Sequence, residues 1–273
     1  MANDGRSSPR LALTFPFDLG SSLPTGAAKE AVAVLGKRIA DDVYRPGEIM
    51  PTEPELARSL GVSRATVRDA IKVLSGKGLV RTARRYGTSV RPVEEWNLLD
   101  ADVAAWHVPS HPRLQQMFAE TTELRTIIEP AAAAQAAERA TEEQVAVILE
   151  AAYAMRPGED DLASLFAADC RFHATMLDAT GNLMMRQLRP IILTMLRISY
   201  EYGVLAVDQE PVSREGHIRV AEAIRGRDPV AARAAMEAML DLNRRTANEY
   251  WRSQHAAAAG APAPARPKVA ETL

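Results

Sequence analysis

The stretch GVSRATVRDAIKVLSGKGLVRTARRYGTSV, residues 61–90, constrains the fold of this chain more than any other. Within it Val67, Ala70, Ile71 and Leu74 recur at i, i+3, i+4 and i+7, the spacing of one buried helical stripe. Ser63 stands where a hydroxyl caps a helix start. Arg68 and Lys72 point away from the stripe, and Arg64 sits in the exposed first turn. Just upstream, PTEPELARSL pairs Thr52 with Glu55 in a capping-box pattern, and Gly61 ends that helix. Farther back, KEAVAVLGKRIADDVY spaces Val32, Leu35, Ile39 and Val43 by three or four, an amphipathic helix that RPGE stops. After Gly78, LVRTA and GTSVRP read as two short strands joined at Arg84-Arg85-Tyr86. Three helices with a tight turn between the second and third, followed by a hairpin, describe a winged helix-turn-helix.

Charge says what such a head binds. Thirteen Lys and Arg and seven Asp and Glu fall between Ala27 and Val93, a net +6 in a chain whose total is −2. One exposed Arg is ordinarily a solvated surface group, whereas thirteen cations on this turn pattern are the footprint of a nucleic-acid binder. Double-stranded DNA is the expected partner, with the third helix in the major groove and the hairpin tip on the backbone or minor groove. Phosphates attract the basic face whatever the sequence, and Arg can also grip a guanine edge through two hydrogen bonds.

The rest of the chain reads as helical. Its 273 residues exceed one ordinary core, and few aromatics with abundant alanine favour closely packed helices, so the fold class is mainly α with two domains. Residues 1–26 read as a flexible arm, 27–93 as the winged head and 94–112 as a linker in which WNLLDADVAAWHV forms a short helix. A helical domain for effector binding and dimerisation is expected over 113–252, with helices near 141–155, 159–180, 182–206, 213–225 and 229–251. The Ala- and Pro-rich residues 253–273 read as a disordered tail. In the long first helix of that domain Leu114, Met117, Phe118, Thr121, Leu124 and Ile128 share a face. Cys170 is the one cysteine, no run reaches 18 apolar residues, and the N-terminus lacks a secretion signal. A reducing, cytoplasmic setting with no membrane partner is expected.

Chemistry concentrates at Asp169, His173 and His217. The first two are four apart in DCRFH and share one helical face. In an antiparallel pair turning at Arg225-Gly226-Arg227-Asp228, His217 faces Met239. Two readings stay open: the three side chains hold a metal, or they hydrogen-bond an effector directly. Arg125 suits a carboxylate or pairs with Glu123 or Glu129. Asn182 lines the pocket or caps the following helix, and Thr194, Arg197 and Tyr200 lie on compatible faces.

LARSLGVSRATVRDAIKVLSGKGLV followed by GTSV resembles the DNA-binding domain of the GntR family of bacterial transcription regulators over residues 30–92. The resemblance assigns DNA contact to Ser63, Arg64, Thr66, Arg68 and Gly87, and charge adds Lys72, Arg84 and Arg85. Pro54 stands where the family commonly has a DNA-contacting Arg. LRTIIEPAAAAQAAERAT, DCRFHATMLDATGN and GHIRVAEAIRGRDPVAARAAM resemble the all-helical FCD effector domain of the FadR subfamily over residues 113–250. That resemblance implies a divalent zinc, nickel or manganese ion held by an Asp, the His four later and two further His, often meeting an organic acid. Here Asp169, His173 and His217 match and Met239 replaces the fourth ligand, a soft thioether better suited to copper(I). The bridging segment and the missing last His are most similar to galactonate-responsive repressors of this subfamily. The expectation is a homodimeric repressor of sugar-acid catabolism with no catalytic activity. The alternatives are an effector-dependent activator or a metal-dependent hydrolase.

Overall fold

The structure is a computed structural model that describes residues 13–17, 23–106, 112–155, 162–201 and 212–260. Parts of several expectations lie outside the described residues: arm residues 1–12 and 18–22, linker residues 107–111, helix residues 159–161 and 202–206, and tail residues 261–273.

In the head, α1 (Ala27–Ala40), α2 (Glu53–Leu60) and α3 (Arg64–Gly76) surround a core of Val32, Leu35, Ile39, Leu56, Val67, Ala70 and Leu74. Each fully buried leucine here contributes roughly 1.5–3 kcal/mol. The capping box at Thr52 forms as expected, and Gly61, at φ 66°, makes the left-handed turn into α3. Strands β1 (Val80–Ala83) and β2 (Gly87–Val90) pair antiparallel with Val80 opposite Val90. Two details differ from expectation. Ile49 bridges Ser89, adding an edge to the sheet, and α1 stops at Ala40 because Asp42 turns to φ 57°, which leaves Val43 61% exposed.

The linker is more broken than its sequence suggested. A 3-10 turn (Val93–Glu95) precedes α4, which covers only Ala101–Ala105 and is capped by the Asp100 side chain. The short helix is nonetheless firmly tied to the head. Lys77, 4% exposed at the end of α3, meets Asp100 at 2.6 Å and Asp102 at 2.9 Å. The Trp106 ring lies against Gly36 of α1, where an added Cβ would come within 2.5 Å. From the other side Arg113, at the start of α5 (Pro112–Arg139), donates to the Ala40 carbonyl and Asp42, both at 2.8 Å, and lies over Trp96.

The helical domain continues with α6 (Glu142–Ala154), α7 (Leu162–Ala179), α8 (Leu183–Arg186), α9 (Arg189–Glu201), α10 (Val212–Arg225) and α11 (Pro229–Gly260). Helix α5 packs along α11, and α10 is wedged against α11 and α6. Buried Ala132, Ala133, Ala136 and Ala137 allow α5 to approach its neighbours closely, and Phe172, Met176, Ile192, Val220, Ile224 and Met236 fill the centre. The single helix expected from 182 breaks into α8 and α9 because Pro190, in the first turn of α9, cannot donate to a preceding helical turn. At the C-terminal end, α11 runs past 251 to Gly260: Ala256 to Ala259 favour helix, so residues 253–260 are not disordered as expected. The arm also departs from expectation. Leu13 is 4% exposed and, with Phe15 and Phe17, packs on α7 and α9.

Candidate functional site

Two separated surfaces carry the candidate residues. On the head, Ser63 Oγ accepts the Thr66 amide at 3.1 Å and pairs with the Thr66 hydroxyl at 2.8 Å, fixing the first turn of α3. Arg64, Arg68 and Lys72 project from that helix into solvent, which a helix entering a groove requires. Arg68 is held by Glu53 of α2, its Nη2 at 3.0 Å, and Lys72 pairs with Asp69 at 3.0 Å. Such exposed pairs contribute roughly 0–1 kcal/mol and yield readily to phosphate or base contacts. Glu53 was not singled out in the sequence, because its reach to Arg68 depends on the crossing of α2 and α3. At the hairpin tip Arg84, Arg85 and Tyr86 are exposed, with Arg85 at φ 73° and Gly87 at φ 82°. The tip thus presents two guanidinium groups in the same basic segment as α3.

The second surface lies inside the helical domain. Helix α7 supplies Asp169 and His173 on one face, α10 supplies His217, and α5 supplies Arg125. His173 Nε2 and His217 Nε2 lie 3.2 and 3.3 Å from Asp169 Oδ1 and 3.4 Å from each other. All three are at most 2% exposed, and Phe172 meets both imidazoles edge to face. Arg125 Nη2 approaches His173 Nε2 at 3.5 Å, while its fork is bound by Glu129 at 2.9 and 3.3 Å. Glu129, fully buried, also lies 3.3 Å from His173 Nδ1. The sequence offers Glu129 only as one of two same-helix partners for Arg125, with Glu123 the other. The i, i+4 spacing of Arg125 and Glu129 was visible, but the burial of the pair was not.

The electrostatics follow from this crowding. Burial disfavours the Asp169 charge, but the imidazoles of His173 and His217 close to its Oδ1 outweigh it and hold the carboxyl well below its usual range. Glu129 is likewise buried, yet Arg125 and His173 bring it down to about 2. His173 loses solvation too, but Glu129 and Asp169 push it up to about 9. Tyr200 rises above its ordinary range through burial and the neighbouring Asp169 carboxylate.

The donor set fits a metal ion. Asp169, His173 and His217 offer one ligand atom each within 4.8 Å of one another, and Asp169 Oδ1 lies in this cluster without a well-formed hydrogen bond. Glu129 beside His173 Nδ1 stands where a carboxylate orients a ligating imidazole. Met239 is 3% exposed and packs on Gly216, the residue before His217 in the chain. Among the other expected residues, Thr194 is fully buried with no partner for its hydroxyl, Arg197 lies over the Phe15 ring, and Tyr200 stacks on Phe166. Asn182 leaves the set: it is exposed and its side chain caps α8 through the Met184 and Met185 amides.

Comparisons with known proteins agree with both surfaces. The family described as "Bacterial regulatory proteins, gntR family" matches residues 27–90, and the FCD domain matches residues 120–242. The chain is 33% identical to the galactonate operon transcriptional repressor of Escherichia coli (strain K12), over 80% of this chain and 95% of that protein. To the HTH-type transcriptional repressor NanR of Salmonella newport (strain SL254) it is 30% identical, over 83% of this chain and 89% of the relative. A solved structure described as "Lar controls the expression of the Listeria monocytogenes agr system and mediates virulence" shares the fold, with a TM-score of 0.54 and 21% identity over 82% of this chain and 98% of that one. With a winged head, an FCD bundle and a full-length relative at this identity, the chain belongs to the GntR family of bacterial transcription regulators, in the branch that carries an FCD domain, and is not an enzyme.

Proposed function

We propose that this regulator is a homodimeric, cytoplasmic repressor of sugar-acid catabolism, released from its operator when a hexonate such as galactonate enters the helical domain. One observation carries the effector reading: a buried cluster of Asp169, His173, His217, Arg125 and Glu129 in the domain that does not face DNA. Buried charge of this density is costly unless it is paired or serves a ligand. The relative named as a repressor of the galactonate operon supports the choice of acid.

Charge balance indicates what the cluster accepts. Ionised Asp169 and Glu129 are balanced by Arg125 and a protonated His173, so these four groups hold no net positive charge to draw in an acid. A divalent ion on Asp169, His173 and His217, taking the place of the His173 proton, would make the cluster net positive and supply an anchor for a carboxylate; zinc, nickel and manganese suit the oxygen and imidazole donors better than they suit the Met239 sulfur. Arg125, its fork already set by Glu129, would then meet the acid, and the buried Thr194 hydroxyl is a candidate partner for a sugar hydroxyl.

On the head, two-fold protein symmetry implies an inverted-repeat operator read by Ser63, Arg64, Thr66, Arg68 and Lys72, with Arg84, Arg85 and Gly87 at the flank. For release, the acid must bind the arrangement that cannot grip DNA more tightly than the one that can. Band-shift titration of the labelled operator at two salt concentrations tests the head: affinity falls steeply with salt, and Arg68→Ala loses about 1–3 kcal/mol, eliminating specific retardation. Operator binding unchanged in Arg68→Ala refutes the assignment. Calorimetry against galactonate, gluconate and simple dicarboxylates, with and without chelator, tests the acid site, and no heat from any sugar acid removes that reading.

A further inference from the structure

The turn between α2 and α3 opens onto a cleft of about 620 Å³ lined by Pro54, Ala57, Arg58, Gly61, Val62 and Arg64. Its charged lining is two guanidinium groups, Arg58 from the last turn of α2 and Arg64 from the first turn of α3, with no carboxylate among the described residues. Both arginines are exposed. The carboxylates of α2 are engaged elsewhere. Glu53 takes Arg68 at 3.0 Å, and Glu55, one turn before Arg58, accepts the Thr52 amide at 2.8 Å and the Thr52 hydroxyl at 2.7 Å. Those two bonds, more than the charge of Arg58, hold Glu55 below its ordinary range. The floor of the cleft is open as well: Gly61 stands at φ 66°, and a Cβ built there would meet no atom within 4 Å, so a ligand can reach the backbone of the turn.

A concave surface that offers two cations and no anion selects a negatively charged group, and its place on the head selects which one. In the DNA-binding reading of the head, on which this inference rests, α3 carries Arg68 and Lys72 into the groove, and the helix before it crosses the DNA backbone. Arg58, on that crossing helix, then meets a phosphate rather than a base edge. We propose that the cleft is a seat for one DNA phosphate per protomer, held between Arg58 and Arg64, and that Arg58 is a backbone contact beyond those that the sequence pattern assigns. Guanidinium groups suit this task because their planar forks match phosphate oxygens with paired hydrogen bonds. A phosphate bridging the end of α2 and the start of α3 fixes how α3 sits in the groove, yet carries no sequence information. Arg58 therefore supplies affinity common to every duplex, whereas Arg68 supplies discrimination.

Band-shift titrations of the full chain test the seat on two duplexes of equal length, one selected by the wild-type protein from random sequence and one unrelated, over a series of salt concentrations. The proteins are wild type, Arg58→Ala, Arg58→Lys and Lys37→Ala, the last removing an equal charge from an exposed position of α1 outside the cleft. Thermal melts confirm that each is folded. Arg58→Ala is expected to weaken binding of both duplexes by the same factor, about tenfold, and to lower the slope of log affinity against log salt by about one per protomer. Arg58→Lys keeps the charge and recovers the slope, but only part of the affinity, because an ammonium cannot form the paired contact. Lys37→Ala keeps the wild-type slope. An unchanged slope in folded Arg58→Ala overturns the proposal. So does a loss confined to the selected duplex, which would make Arg58 a reader of bases, or an equal fall in slope in Lys37→Ala, which would make the effect one of overall charge. If the wild type retards neither duplex, the DNA-binding reading of the head fails and the seat falls with it; if the wild type binds and Arg58→Ala behaves identically, the seat alone falls.

Discussion

Replacing Lys77 by Met tests how the two domains communicate. The Lys77 side chain is 5% exposed, and its ammonium lies between the carboxylates of Asp100 and Asp102, whose side chains are each 19% exposed. Removing one member of a buried ion pair costs roughly 3–5 kcal/mol, because the partner charge stays buried and unpaired. The two carboxylates retain some contact with water, which places this case near about 3 kcal/mol. For a chain of this size that is a fall of about 6–12 °C in melting temperature. Part of the loss should appear as undocking of α4 from the head rather than global unfolding, since Asp100 also caps α4 through the Asp102 and Val103 amides. Effector and operator binding would then be uncoupled: galactonate still binds, but its effect on operator affinity shrinks from the typical 5–150-fold toward unity. Adding Asp102→Asn to Lys77→Met relieves one stranded charge and should recover a large part of the stability without restoring coupling. Thermal melts and band shifts with and without galactonate measure both quantities. A Lys77→Met protein that melts like wild type and responds normally to galactonate would refute the idea that this buried triad joins head and bundle.

Three further outcomes are expected. Gly36→Ala forces a Cβ to within 2.5 Å of the Trp106 ring and should destabilise the head–linker contact by about 1–3 kcal/mol, read by a denaturant melt; an unaltered midpoint would show that Trp106 is free to move aside. Glu129→Gln strands buried Arg125 and should cost about 3 kcal/mol while weakening any metal at His173 about tenfold, measured by thermal shift and competition with a chelator. Met239→His places an imidazole beside Gly216 and His217 and should tighten zinc or nickel binding at least about tenfold; equal metal content in the two proteins would place Met239 outside the ligand sphere.

Residues 27–93 were legible because local rules decide them. Capping at Thr52 and Ser63, the Gly61 turn, the stripe Val67-Ala70-Ile71-Leu74 and the hairpin around Arg84 each follow from neighbours within a few positions, and the structure reproduces all of them. The i, i+4 geometry of Asp169 and His173 was readable for the same reason. The sequence alone therefore determined the class of fold, the basic reading head and the identity of the polar trio. Tertiary structure alone decided the rest, because burial depends on what other segments do. It buried Glu129 with Arg125, seated Lys77 between two aspartates, turned Asn182 into a cap, and laid Leu13 and Phe15 from a seemingly featureless arm against α7 and α9. Helix periodicity specifies which face is apolar, but only the packed chain specifies what that face meets and which charges lose their water.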